Sequence, residues 1–170
     1  MEKTLVLLKP DALQRGIIGE IITRFERVGL KIVGAKILQP NEEHYYYHYE
    51  NIGKMISRRG QKAFDVTINY MQTGPVLAMV LEGVEATSIV RKLAGTTEPK
   101  SAEPGTIRGD YSHISFDYAN SMGVSIPNLI HASSDADEAK EEIAHWFKEE
   151  ELFEYEVTNE KFTIVTKNKK

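Results

Sequence analysis

Asn128-Leu-Ile-His131-Ala-Ser133 brings an amide, an imidazole and a hydroxyl together directly before a helix-start signal at Asp135. A histidine just upstream of a helix N-terminus is a candidate nucleophile, because the helix end offers unpaired N–H groups and a partial positive charge. Such a site suits attack by a ring nitrogen on an anionic phosphoryl group. By position alone His131 is still one of five histidines. A second stretch, Pro104-Gly-Thr-Ile-Arg108-Gly-Asp110, has two glycines that allow close backbone approach to a ligand and an arginine whose planar fork fits phosphate oxygens. Read alone, it is equally a turn carrying a surface arginine, and Arg91 alone reads the same way. His44 and His48 have the spacing of two metal ligands on one helix face. Without a third ligand, a solvated helix of tyrosines and histidines is the better reading. No Walker-type phosphate loop, dinucleotide fingerprint or His-Glu-x-x-His zinc helix is present.

The elements that must position these residues are mostly legible. Thr4 to Leu8 is a short apolar run stopped by Lys9-Pro10 and reads as a buried strand. Ile17 to Val28 has helical apolar spacing and ends at Gly29. Leu30 to Leu38 reads as a second strand. Asn41 is the N-cap of a helix that carries Tyr45, Tyr46, Tyr47 and Tyr49. A further helix is expected over Ala63 to Met71, a strand over Val76 to Leu81, and a helix over Glu85 to Ala94 closed by Gly95. Thr96 to Pro127, broken by Pro99, Pro104, Gly105, Gly109 and Gly123, reads as mostly loop, and a loop of that length is usually functional. Asp135 to Phe147 is a helix with Asp135 and Glu138 at capping-box spacing. Phe162 to Val165 reads as a last strand before the basic tail Lys167 to Lys170. This order fits an α+β fold, an antiparallel sheet with helices on one face. A ferredoxin-like β-α-β-β-α-β sandwich needs one more strand, expected in or after the long loop.

The chain has 170 residues, 41% apolar and 27% charged, which suits one globular domain with a sizeable core. The net charge of −4 gives no overall basic field for nucleic acid. With no cysteine, disulfides and thiolate catalysis are excluded. The N-terminal apolar run is too short for a membrane span and lacks a signal-peptide cleavage pattern, so a soluble cytoplasmic protein is expected.

Taken together, the motifs resemble nucleoside diphosphate kinases of the long-loop form seen in several archaeal members. The matching residues are Lys9-Pro-Asp-Ala-Leu-Gln-Arg15-Gly, Gly19-Glu-Ile-Ile, Arg24-Phe-Glu26, Gly74-Pro-Val-Leu-Ala-Met-Val, Pro104-Gly-Thr-Ile-Arg-Gly-Asp110 and Asn128-Leu-Ile-His131-Ala-Ser133. They occur in the family's order over a core of about 4–155, leaving 156–170 as a tail. The resemblance implies transfer of the γ-phosphate of ATP or another nucleoside triphosphate to nucleoside diphosphates. It implies a ping-pong route through phosphorylated His131 that maintains nucleotide pools. It assigns Glu142 to orienting the imidazole. That carboxylate lies eleven residues on, about three helical turns, so contact requires the chain to turn back first. Lys9, Arg91, Thr97 and Arg108 match phosphate-holding positions, Tyr49 lies near the histidine, Asn128 near the sugar, and Ser133 matches a site hydroxyl.

The resemblance also implies Mg2+ bridging the phosphates with few or no protein ligands, and a homo-oligomer, hexamer or tetramer, with no membrane or nucleic-acid partner. Some positions depart from the family pattern. An Arg-Pro-Phe-Phe segment, whose first phenylalanine stacks on the base, is replaced by Ser57-Arg-Arg-Gly-Gln-Lys-Ala63-Phe64. Counting back from Tyr70 puts Ala63 at the stacking position, with Phe64 beside it as the aromatic candidate. Ser134 stands where an aspartate is common, the segment from Tyr111 to Pro127 is long, and Arg58-Arg59 have no counterpart.

Overall fold

A computed structural model describes residues 1–158 and 160–164. Four strands, β1 (Glu2–Leu8), β2 (Lys31–Leu38), β3 (Val76–Gly83) and β4 (Ile130–Ala132), form one antiparallel sheet in the order β2-β3-β1-β4. The extra strand needed for the ferredoxin-like order is β4, which follows the long segment. Between the strands lie α1 (Pro10–Gln14), α2 (Ile18–Arg27), α3 (Glu42–Tyr46), α4 (Met55–Arg59), α5 (Gln61–Met71) and α6 (Ala86–Ala94). Further on come α7 (Ile107–Tyr111), α8 (Phe116–Met122), α9 (Ala136–Trp146) and α10 (Glu160–Thr163).

The apolar run of β1 is continuous because both faces of the sheet are covered, which corrects the one-face expectation. Leu5 and Leu7 point into a cluster with Met71 of α5 and Trp146 of α9. Val6 and Leu8 point the other way, against Ile21 and Phe25 of α2 and Val90 of α6. Leu5 to Leu8 are fully buried, so β1 is the spine from which the site is hung.

Three sequence expectations change. The segment from Thr96 to Pro127 is not mostly loop: it contains a 3-10 turn (Pro99–Ser101), α7 and α8. Their caps are local, with the Thr106 hydroxyl accepting from Gly109 N–H and the Ser115 hydroxyl from Tyr118 N–H. The Pro and Gly residues mark the breaks between these short helices rather than a single loop. Gly109 is required by close approach, since a Cβ there would sit 2.1 Å from the Glu103 carbonyl oxygen. The helix begun at Asn41 does not run on as α-helix: Tyr47–Ile52 is a π-helical turn, and α4 is an added element before α5. Finally, Phe162 and Thr163 lie in the helical turn α10 rather than in a strand, while Val165 and Lys167 to Lys170 fall outside the described residues.

Candidate active site

His131 sits on β4, opposite Leu7 of β1, and is therefore on a strand rather than in a loop. The backbone reaches it through Leu129, whose φ of 70° is a left-handed conformation that costs a non-glycine residue free energy. That turn is held at both ends: Asp11 Oδ2 accepts the Leu129 N–H at 3.1 Å, and the Leu129 carbonyl accepts the Lys9 N–H at 2.8 Å.

The strand brings His131 Nε2 to 2.7 Å from Glu142 Oε1, so the chain does turn back between them. Because a carboxylate only accepts, Nε2 carries the proton in the neutral ring and Nδ1 keeps its lone pair. Glu142 is 1% exposed. Its other oxygen accepts from the Ser133 hydroxyl at 2.6 Å. Burial disfavours its charge, but the charge and hydrogen bond of His131 and the Ser133 hydroxyl outweigh that and hold its pKa down to about 2.

His48, read from sequence as part of a solvated helix, belongs to this cluster. It is 1% exposed, its ring lies edge-on to His131 with centroids 4.6 Å apart, and its Nδ1 accepts from the Trp146 indole at 3.1 Å. Burial, reinforced by the charge of His131, drives its proton affinity far below the usual histidine range, so it is a neutral wall. The π-helical turn carries both His48 and Tyr49 to the site. Tyr49 stands 6.4 Å from the His131 ring, and its buried hydroxyl has no hydrogen-bond partner among the described residues. Burial raises its pKa, so that hydroxyl remains a donor at neutral pH.

A cleft of about 200 Å³ runs past His131, lined in part by Lys9, Arg91, Thr97, Arg108 and Asn128. Lys9 Nζ donates to Asn128 Oδ1 at 2.7 Å, and Asn128 Nδ2 donates to the Thr97 carbonyl at 2.8 Å. One amide thus ties the end of β1 to the segment after α6. Burial, then the charge of Arg108, lowers the Lys9 ammonium from 10.5 to about 7. An arriving polyanion would reverse that shift.

Arg108 is used differently from the sequence expectation. Its Nε, Nη1 and Nη2 donate to the carbonyls of Asn128, Gly95 and Ile130 at 3.2, 2.8 and 2.5 Å. The fork therefore clamps three backbone segments. Of a guanidinium's five N–H donors, two are left for a ligand. Burial, with Arg91 nearby, lowers its pKa to about 10, which leaves it charged at neutral pH.

The cleft does not contain every expected residue. Ser133 is fully buried behind β4, accepts from the Leu5 N–H at 3.3 Å and supports Glu142, so it does not contact a ligand in the cleft. Phe64 is 4% exposed, packs edge-on against Tyr46 and belongs to the core beneath α5, so the structure does not bring it to a base-stacking position. The helix after His131 is also closed to anions at its first turn: Asp135 Oδ1 accepts from the N–H groups of Asp137 and Glu138 at 3.0 and 2.9 Å. The positive lining of the cleft comes from side chains instead.

Two contributors had only weak sequence signals. Asp11 sits just after a helix-starting proline and reads as a first-turn acid, yet one of its carboxylate oxygens accepts the Leu129 N–H. Trp146 reads as core from its spacing, and nothing local shows that its indole N–H fixes His48.

Comparison with known proteins agrees with this geometry. Residues 2–152 match the family model described as nucleoside diphosphate kinase. A nucleoside diphosphate kinase of Borreliella burgdorferi is 46% identical over 94% of this chain and 95% of its own length. One of Pyrococcus furiosus is 47% identical over 91% and 88%. The solved Borrelia burgdorferi enzyme, a transition-state mimic with bound vanadate and ADP, superposes with a TM-score of 0.90 at 46% identity, covering 94% of each chain. The Halobacterium salinarum enzyme in complex with CDP superposes with a TM-score of 0.81 at 39% identity, covering 95% of this chain and 97% of that one.

Proposed function

The chain belongs to the nucleoside diphosphate kinase family and transfers phosphate between nucleotides, and on that premise we propose that His131 Nδ1 carries the phosphoryl group. The observation that supports this most strongly is the 2.7 Å contact of His131 Nε2 with the buried Glu142 carboxylate, because it leaves the lone pair on Nδ1. In the first half-reaction that lone pair attacks the γ-phosphorus of a nucleoside triphosphate. The N–P bond forms while the bond to the β–γ bridging oxygen breaks, and the diphosphate departs with that electron pair. The ring becomes cationic, and Glu142 faces the developing charge. In the second half-reaction a terminal oxygen of another nucleoside diphosphate attacks the phosphorus, and the N–P electrons return to Nδ1. No proton need leave Nε2 in either step.

Lys9, Arg91 and the two remaining Arg108 donors neutralise the phosphates, and Tyr49 offers its unpaired hydroxyl beside His131. Asn128 keeps Lys9 in place and lines the part of the cleft we assign to the sugar. Thr97 lines the phosphate side.

The residues present fit magnesium as an ion to which this chain would supply few or no ligands. The group of His48, His131 and Glu142, whose ligand atoms lie within 4.8 Å of one another, is two imidazoles and an already bonded carboxylate, a set suited to a softer ion. Ser134 and Glu138, which also line the cleft, are oxygen donors that would face a magnesium ion. When bound, the ion would offset charge on the β- and γ-phosphates.

We also read the protein as a cytoplasmic homo-oligomer, a hexamer or tetramer, on the family resemblance. Among the described residues no helix is long and apolar enough to cross a membrane. Incubation with γ-labelled ATP and magnesium tests the central reading. The label should be acid-labile, base-stable, confined to His131 and discharged by GDP. A His131→Ala protein that still transfers phosphate at the full rate overturns it.

A further inference from the structure

The chain enters β4 through a three-residue γ-turn. The Ile130 N–H donates to the Asn128 carbonyl at 2.8 Å, and Leu129 between them has φ 70°. This is the strained form of that turn, and it persists where its surroundings over-determine it. Four contacts do so here. Arg108 donates to the carbonyls on either side, those of Asn128 and Ile130. The Lys9 N–H donates to the Leu129 carbonyl, and Asp11 Oδ2 accepts the Leu129 N–H at 3.1 Å. Asp11 is the acid of this set. It does not line the cleft, and its other oxygen, Oδ1, is buried with no hydrogen-bond partner among the described residues. Nor does it act as an ordinary first-turn acid, since its carboxylate is bonded to a residue 118 positions along the chain.

Resting on the reading of the cleft as a nucleotide site, we propose that Asp11 is a positioning residue for phosphoryl transfer. One oxygen locks the turn that sets His131, and its charge is the resident counter-ion of Lys9 and Arg108 before a polyphosphate arrives. A buried carboxylate oxygen without a hydrogen bond is costly unless opposite charge answers it. Lys9 and Arg108 supply that charge. Burial and neighbouring cations disfavour the charge on both, the neighbours being Arg108 and Arg59 for Lys9 and Arg91 for Arg108. Asp11 acts the other way on each. Tyr70, held neutral first by burial and then by the Asp11 charge, brings no charge of its own. A purely structural acid would need the Leu129 contact alone. Asp11 joins that contact to the two cations that grip the same turn, so the strand end and the charge of the cleft are set by one group.

Two substitutions separate the duties. Asp11→Asn keeps an oxygen for the Leu129 N–H and removes the charge, whereas Asp11→Ala removes both. The full-length proteins are compared by ADP binding across neutral and alkaline pH and by single-turnover labelling of His131 with saturating γ-labelled ATP. In the wild type, ADP affinity should fall as pH rises above about 7, because binding then requires Lys9 to take up a proton. In Asp11→Asn the fall should begin about one pH unit lower, and adding Lys9→Met to both proteins should abolish that difference. Labelling should stay within about threefold of wild type in Asp11→Asn and drop a further ten- to hundredfold or so in Asp11→Ala, as for a displaced nucleophile. An Asp11→Asn pH profile that overlays the wild type overturns the proposal, and this result decides alone if the alanine protein does not fold. Equal labelling rates in folded Asp11→Ala and Asp11→Asn overturn it as well. The phosphohistidine reading fails separately, if wild-type His131 takes no label, whatever the pH profiles show.

Discussion

Replacing Glu142 with glutamine removes one charge from the His131 pair and little else. The amide oxygen can still accept from His131 Nε2, and the amide N–H can donate to the Ser133 hydroxyl, which has the Leu5 carbonyl 3.5 Å away as its own acceptor. The carboxyl moves from 4.5 to about 2, which corresponds to about 3 kcal/mol in favour of its charged form. His131 is the largest of the favourable contributors, ahead of the Ser133 hydroxyl. If about half of that acts on His131, the cationic ring formed during phosphorylation loses about 1.5–2 kcal/mol of stabilisation. The rate of His131 phosphorylation should then fall about 10- to 30-fold. Single-turnover labelling with γ-labelled ATP, quenched in base, reads this step directly. The variant should also lose part of the wild-type acid sensitivity. A depressed carboxyl contributes stability that is present above its unfolded value and lost as pH falls from about 4.5 through about 2, and glutamine has no such contribution. A phosphorylation rate within about twofold of wild type, in a folded Glu142→Gln protein, would refute the claim that the carboxylate orients and charges the nucleophile.

Lys9 gives a second expectation. With its ammonium lowered to about 7, the nucleotide-free protein holds this group largely neutral at pH 8, and a bound polyphosphate restores the proton. ADP binding at pH 8 should therefore take up a fraction of a proton, seen by calorimetry in buffers of different ionisation enthalpy, and Lys9→Met should abolish the uptake. The sign also fixes an effect on stability: between about 7 and 10.5 the unfolded chain holds the Lys9 proton more tightly, so this group's contribution to stability rises with pH there. Phe64→Ala should cost about 3–5 kcal/mol in denaturant unfolding, as for a core phenylalanine, while KM for nucleotides stays within about twofold. A large rise in KM without loss of stability would return Phe64 to the cleft. Ser133→Ala should destabilise the fold by about 1–3 kcal/mol, because it removes a donor from buried Glu142 and an acceptor from the Leu5 N–H. It should lower the phosphorylation rate without changing nucleotide affinity, and a change confined to affinity would contradict its placement behind β4.

Local pattern carried most of the elements. The apolar run of β1, the helical spacing of α2 and α9, and the Asn41 cap all depend on neighbours within a few residues, and each formed about where its spacing indicated. The motif around His131 was legible too, since its residue types stand side by side. Elements built from short, locally capped turns were not: α7 and α8 hide among prolines and glycines, and nothing in Tyr47–Ile52 announces a π-helical turn. What the residues do was decided by pairs distant in sequence. Lys9 meets Asn128, Leu5 meets Ser133, and Trp146 meets His48 only because β1 and β4 pair in the sheet and α9 and the π-helical turn pack beside them. Those contacts set the proton on Nε2 of His131 and turned Ser133 from a ligand contact into a support. They also committed three arms of Arg108 to backbone carbonyls and sent Phe64 into the core. Sequence spacing gives residue types and the local phase of each element. Burial and long-range hydrogen bonding, which fix charge, tautomer and direction, exist only once the sheet has assembled.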